Sequence, residues 1–191
     1  MASYAGRLGI VQRVLPRYRA PFFDLLAQSC DGSLGVFAGA ARPEESIPLA
    51  EKLSVAKWTF STNHHFLGGR FYLCMQDGIL GWLESWNPNA LVIEANPRYL
   101  ATPGAVRWMK ARNRPVLAWG LGAPHVAGVL AALRKVRRLN FLRQFDGVIA
   151  YSQQGADEYA ALGYPNEQIF IAPNAASPRP DVAPKRSYEG T

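Results

Sequence analysis

A doubly wound α/β domain around a mostly parallel sheet is the fold class this chain predicts, on three observations. Short apolar runs rich in Val, Ile and Leu recur along its length, each the size of a buried strand. Segments with helical spacing stand between them. Strand and helix alternate from one end to the other, the pattern that packs into a parallel sheet with right-handed crossovers.

The elements follow in order. Leu8 to Leu15 reads as a first strand, interrupted by Gln12 and Arg13. Pro16-Arg17-Tyr18-Arg19 is the loop after it. Pro21 suits the first turn of a helix, where its missing N–H is not needed. Phe22, Leu25, Leu26 and Ser29 then share one helical face. Leu34 to Phe37 is a second strand. Arg42 to Glu51 holds two prolines and reads as loop with a helical turn. Lys52 to Gly81 mixes aromatics with His64-His65 and Gly68-Gly69. Strand pieces near 53–60 and 70–73 are expected there, then a helix from about Asp77 to Trp86, ended by Pro88. Leu91 to Ala95 is a buried strand. Thr102 can cap a helix begun by Pro103 and running to about Arg112. Val116 to Trp119 is the next strand, Gly120-Leu121-Gly122 its exit loop, and a long helix is expected from about Pro124 to Gln144.

Asp146 to Asn174 is the clearest βαβ unit. Val148 to Tyr151 is a short buried strand, and Ser152 can accept hydrogen bonds from the free amides of the next helix. Ala156, Tyr159, Ala160 and Leu162 form an apolar stripe. Gly163 closes the helix where the backbone turns left-handed, and Pro165 blocks its continuation. Ile169 to Ala172 is a second buried strand. Loops around Ser152 and Asn174 would lie at the carboxyl ends of these strands, where open α/β sheets bind ligands. Residues 175–191 carry Pro178, Pro180 and Pro184 without periodicity, and read as a linker.

Composition narrows the class. At 191 residues and 49% apolar, the chain fits one globular domain and excludes wholesale disorder. Mean hydropathy is −0.08, no run approaches the length of a membrane span, and Met1 to Gly6 lacks the apolar region of a signal peptide. Cys30 and Cys74 match no zinc or redox spacing and read as reduced core thiols of a cytoplasmic protein. A net charge of +7 fits an anionic partner, or simple solubility.

Several residues could carry chemistry. Arg17 and Arg19 sit in a loop opening onto the carboxyl edge of the sheet, where Arg forks bind phosphate or carboxylate, unless the loop is merely solvated. Glu94 and Asn96 follow a strand toward the same edge. Gly120 and Gly122 serve either turn chemistry or close approach of backbone amides to a phosphate or sugar. No glycine fingerprint follows the first strand, which disfavours a nicotinamide oxidoreductase. His64 and His65 would point apart on a strand, and no metal set is expected. His125, after the glycine loop, is the weak candidate for acid–base work. Arg134, Lys135, Arg137 and Arg138 span one arc of the long helix, with Val126, Val129, Leu133 and Val136 opposite and Phe141, Leu142 and Phe145 inside the arc. That face is either an ordinary surface or one that lies on anionic lipid. No nucleic-acid motif is present.

Taken in order, these pieces resemble the N-terminal half of a bacterial GT-B glycosyltransferase of the retaining family numbered four. Tyr18-Arg19-Ala20-Pro21-Phe22-Phe23 is similar to that family's YR-x-PFF segment. Arg114 to Gly122 looks like its strand into a WG-x-G loop. Asp146 to Ser152, Gly163-Tyr164-Pro165 and Pro173-Asn174-Ala175 look like its D-x-[VI]-x-x-S, G-x-P and PN-[GA] pattern. The likeness covers roughly residues 7 to 176. Two departures stand out. Leu121 occupies the position of a histidine that in many relatives faces the transferred sugar, unless His125 substitutes. The family's donor-binding domain, with its E-x7-E carboxylates, would follow Asn174.

The resemblance implies a Rossmann-like acceptor-side domain over residues 1–174 and a linker over 175–191 toward a donor-binding domain. It implies transfer of a sugar from a nucleotide-sugar donor to a saccharide or lipid-linked acceptor, in cell-surface polysaccharide or glycolipid synthesis, by a cytoplasmic protein that can sit on the inner face of the membrane. The expected substrate contacts are Arg17, Tyr18, Arg19, Glu94, Gly120, Leu121, Gly122, Ser152 and Asn174, with no metal and no cofactor. A stand-alone α/β binding module for an anionic ligand remains the alternative.

Overall fold

The computed structural model describes residues 3–123 and 128–173. In chain order its elements are β1 (Leu8–Val14), α1 (Ala20–Gln28), β2 (Leu34–Gly39), β3 (Lys57–Ser61), β4 (Asn63–Phe66), β5 (Leu73–Gln76) and α2 (Ile79–Trp86). Then come β6 (Ala90–Glu94), α3 (Thr102–Lys110), β7 (Val116–Gly120), α4 (Ala131–Leu142), β8 (Gly147–Ala150), α5 (Gln153–Leu162) and β9 (Ile169–Ile171). Seven strands form one parallel sheet in the order β3-β2-β1-β6-β7-β8-β9. Strand order therefore runs outward in opposite directions from the β1/β6 pair. That pair is the topological switch point, where the loops leaving the two strands diverge and open a crevice. The predicted Rossmann-like fold class is the one observed.

Apolar side chains on both sheet faces hold the layers together. On one face Phe23 and Ala27 of α1 pack on Ile10, Leu34, Val36 and Val92. On the other, Trp82 and Leu83 of α2, Val106 and Met109 of α3, Leu142 of α4 and Tyr159 of α5 pack on Val11, Phe37, Leu91, Ile93 and Val148. Each central strand is thus covered on both sides, which is why its sequence is a continuous apolar run.

Several expectations need correction. Gln12 does not interrupt the first strand: it is buried within β1, and the register with β2 shifts between Gln12 and Val14 around a bulge at Arg13. In the 52–81 region the strand piece expected near 53–60 is found as β3, whereas the piece expected near 70–73 lies later, as β5, and pairs antiparallel with β4, a strand not expected. Gly78 takes a positive φ of 80° and delays α2 to Ile79. Thr102 is the first residue of α3 and makes no cap; the helix ends at Lys110, short of Arg112. α4 begins at Ala131, well after Pro124, because a turn occupies Val129 and Leu130. β9 is an edge strand with Phe170 and Ile171 half exposed, not a second buried strand.

Local chemistry at α5 matches its sequence. Ser152 Oγ accepts the Gly155 N–H at 3.1 Å, and Gly163 closes the helix at φ 101°. Cys30 and Cys74 are buried free thiols, each pushed up in pKa by burial. The two adjacent histidines of β4 find separate partners: His64 Nε2 meets Asp77 at 2.6 Å, and His65 Nδ1 meets the Tyr72 hydroxyl at 3.0 Å. No metal-binding cluster occurs among the described residues.

Candidate functional site

A cavity of about 670 Å³ opens at the switch point. Four loops at the carboxyl ends of β1, β6, β7 and β8 supply its lining, and Arg138 of α4 joins them.

Arg19 forms the floor. It lies in a short 3-10 turn after β1 and is buried. Its Nη1 donates to Gln12 Oε1 at 3.0 Å and its Nη2 to the Tyr151 hydroxyl at 2.9 Å. The guanidinium carbon stands 5.1 Å from the Trp119 ring centroid and 5.3 Å from that of Tyr151, so both π faces stabilise the charge. Burial works against that charge; the Tyr151 and Tyr18 hydroxyls outweigh it, and the pKa is raised. Among the described residues Arg19 Nε, Gln12 Nε2 and Trp119 Nε1 are buried and have no hydrogen-bond partner. All three are N–H donors closed off from solvent beneath the cavity.

Glu94 ends β6 beside this floor. Its Oε2 accepts the Arg13 backbone N–H at 2.7 Å, an amide the bulge releases from the ladder. Burial raises the carboxyl pKa, and the Arg13 amide with the charges of Arg13 and Arg19 offsets only part of that rise. The loop that follows is a tight turn: Asn96 Oδ1 accepts the Arg98 N–H at 3.1 Å, and Tyr99 N–H donates to Asn96 O at 3.2 Å. Arg98 is left exposed on the cavity wall.

The glycine loop forms the third side. A Cβ on Gly155 would stand 2.3 Å from Leu121 O, and one on Gly122, at φ 134°, 2.4 Å from Glu158 Oε2. Tyr159 lies beneath, its hydroxyl close against Gly120, and burial pushes the phenol up to about 12. Glycine is needed here so that the loop can seat on the start of α5. The close seating of Gly122 against Glu158 and of Gly155 against Leu121 O favours the turn-chemistry reading of these glycines.

The sequence-derived set is thus divided. Tyr18, Arg19, Glu94, Gly120, Leu121 and Gly122 converge on the cavity. Arg17 does not: it is exposed and pairs with Glu51 at 3.3 Å. Ser152 does not either, because its side chain caps α5. His125 and Asn174 lie outside the described residues. The cavity also gathers Arg98, Tyr99, Trp119 and Tyr151, which sequence reasoning passed over. Trp119 and Tyr151 were findable, since each stands at the carboxyl end of a predicted parallel strand.

The basic arc of the long helix is divided too. Arg138 turns inward to the cavity, and Lys135 Nζ donates to Ala161 O at 3.3 Å. Arg134 and Arg137 are exposed. Leu142 and Phe145 are buried, so they belong to the core and not to an outer surface. Leu133 and Val136 are each 54% exposed and Val129 fully so, which puts the apolar stripe in solvent. No helix among the described residues is long and apolar enough to cross a membrane.

No protein-family model matches the chain, and no curated protein sequence matches it. Solved structures do. The apo form of the lipopolysaccharide outer core galactosyltransferase WaaB aligns with a TM-score of 0.51 at 11% identity, over 96% of this chain and 50% of that one. Anabaena Alr3699/HepE in complex with UDP and glucose aligns at 0.48 and 13%, over 88% and 44%. A putative UDP-N-acetylglucosamine 2-epimerase from Listeria monocytogenes aligns at 0.49 and 12%, over 89% and 45%. The chain spans about half the length of each of these structures. At such identities the likeness is one of fold, and the seven-stranded Rossmann-like domain described above shares its architecture with about half of the WaaB chain.

Proposed function

We propose that this chain is the acceptor-side half of a GT-B glycosyltransferase of the family numbered four, with the domain over residues 1–174 and a linker over 175–191. Sugar passes from a nucleotide-sugar donor, held mainly by a second domain, to an acceptor seated in the switch-point cavity. The observation that carries the reading is this cavity: aromatic, hydroxyl and charged groups line it at the carboxyl edge of a fold shared with a galactosyltransferase. Tyr18, Tyr99 and Tyr151 offer hydroxyls and apolar ring faces suited to a saccharide. Bringing two substrates together in one orientation supplies a large part of such a rate, so the half alone is expected to be inactive.

The acceptor is a membrane glycolipid or a growing surface polysaccharide, and the protein works on the inner, cytoplasmic face of the membrane. Support comes from the outer face of α4, where Leu133 and Val136 stand in solvent with Arg137 and Arg134 to one side of them. An apolar stripe with cations beside it suits the boundary between acyl chains and anionic headgroups. In this reading the lipid contact is the apolar stripe, with the arginines beside it.

The test is transfer of radiolabelled sugar from a panel of nucleotide sugars to a bacterial membrane-lipid extract. The product of the complete native reading frame is expected to transfer one of them, and residues 1–191 alone to transfer none. Transfer at full rate by residues 1–191 would contradict the two-domain reading.

A further inference from the structure

Among the described residues lining the cavity, Glu94 is the one side chain able to accept a proton near neutral pH. Guanidinium groups have no acceptor atom, and phenols stay protonated there. Burial raises the Tyr99 and Tyr151 phenols further. No histidine is among these residues: His64 and His65 sit on β4, paired with Asp77 and Tyr72.

The Glu94 carboxyl is held at one oxygen and open at the other. Oε2 accepts the Arg13 N–H at 2.7 Å. Oε1 takes no hydrogen bond among the described residues, yet it is not one of the partnerless polar atoms closed off from solvent. The residue is only partly buried and lines the cavity, so Oε1 faces that space. Arg13 of β1 and Arg19 of the turn after it favour the charged form, but desolvation outweighs them and the carboxyl titrates above its ordinary range. Tyr99 of the following loop, Tyr151 after β8 and Cys74 of β5 complete its electrostatic surroundings, all three protonated near neutral pH. A rise in that direction makes a carboxylate a stronger base near neutral pH. A glutamine could accept the same Arg13 N–H without the cost of a desolvated charge, so the fold by itself gives no reason for a carboxyl group here.

We infer that Glu94 is the general base of the transfer, taking through Oε1 the proton of the acceptor hydroxyl. This role rests on the transferase reading. The hydroxyl oxygen attacks the anomeric carbon of the nucleotide sugar. A bond forms between the two as the bond from that carbon to the diphosphate oxygen breaks, and the electron pair leaves with the nucleoside diphosphate. The hydroxyl proton goes to Glu94, which returns it to water before the next turnover.

Two measurements test this. The first needs no substrate. A water-soluble carbodiimide with glycine ethyl ester labels accessible carboxyl groups, and peptide mass spectrometry of the 191-residue chain reads which ones. Glu94 is expected among them. Protection of Glu94 in the folded chain would close Oε1 off and overturn the base. The second uses the product of the complete reading frame with the nucleotide-sugar panel and the bacterial membrane-lipid extract. Glu94→Gln is expected to lower kcat at least about a hundredfold, the low end of what a general base contributes. The KM for the nucleotide sugar should be unchanged. In wild type kcat should rise with pH through the raised carboxyl pKa, and in Glu94→Gln that limb should be absent. Glu94→Gln with the wild-type kcat, or with the pH limb retained, would overturn the base and leave the transferase reading intact. A wild-type protein that transfers no sugar would overturn the reading and the base together.

Discussion

The backbone N–H of Arg13 donates to Glu94 Oε2 at 2.7 Å, and this bond ties the bulge of β1 to the end of β6 across the switch point. It orients the carboxyl without neutralising it. Because burial raises the Glu94 pKa, the folded chain holds that proton more tightly than the unfolded one. Stability attributable to this group is present at low pH and falls as pH rises from the ordinary carboxyl range through the folded pKa. Glu94→Gln keeps an oxygen for the Arg13 N–H and removes the charge. It is expected to melt higher than wild type at pH 8, by about 2–4 °C for each kcal/mol gained, and to lose that advantage at pH 4. Thermal melts of both proteins across pH 4–8 check the sign.

Glu45 should behave in the opposite sense. Burial would raise its pKa, but hydrogen bonds from the Arg13 side chain and the Arg42 amide outweigh this and hold it at about 2. A carboxylate depressed in the folded state contributes stability above its unfolded pKa and loses it as pH falls through the folded value. Wild type is therefore expected to weaken between pH 4.5 and about 2. Glu45→Gln should be less stable at pH 7 and show a shallower acid limb. Urea denaturation at pH 7, 4 and 3 reads the difference.

Gly155→Ala is expected to destabilise, although alanine is ordinarily the better helix former. The added methyl would stand 2.3 Å from Leu121 O, a backbone atom that moves only with the whole loop. Overpacking of this kind costs about 1–3 kcal/mol. A chemical denaturation curve showing Gly155→Ala equal to or above wild type would contradict the seating of the glycine loop on α5.

Much of this organisation is legible in the sequence, and the losses have physical causes. Val92, Val116 and Val148 announce buried strands because both sheet faces are covered. β4 escapes notice because His64 and His65 carry no apolar alternation, although it pairs with β5 in a local hairpin. The cavity is half legible. Arg19, Glu94 and the glycine loop follow from the rule that ligands sit at carboxyl ends of strands. Arg17 and Arg19, two residues apart, look alike in sequence, yet a single 3-10 turn sends one to Glu51 and the other to the floor. Arg138 shares an arc with Arg134 and Arg137 in projection, and only the packing of Leu142 against the core shows which side faces in.

The exposed stripe of α4 gives a vesicle prediction. Leu133→Glu with Val136→Glu is expected to abolish sedimentation with phosphatidylglycerol vesicles. Arg134→Gln with Arg137→Gln should weaken it and reduce its salt dependence, since a basic residue near an anionic surface contributes about 1 kcal/mol. Neither pair should shift the melt appreciably, because all four side chains are exposed. Unchanged sedimentation of the Leu133→Glu, Val136→Glu protein would remove the membrane from the proposal.

The acceptor role of the switch-point cavity is tested most directly by steady-state sugar transfer with the product of the complete reading frame. Arg98 is exposed on the cavity wall, so Arg98→Gln perturbs the site with little cost to the fold. The expected result is a KM for the acceptor raised about tenfold, with the KM for the nucleotide sugar unchanged. A raised KM for the nucleotide sugar with an unchanged KM for the acceptor would contradict the assignment and give the cavity to the donor.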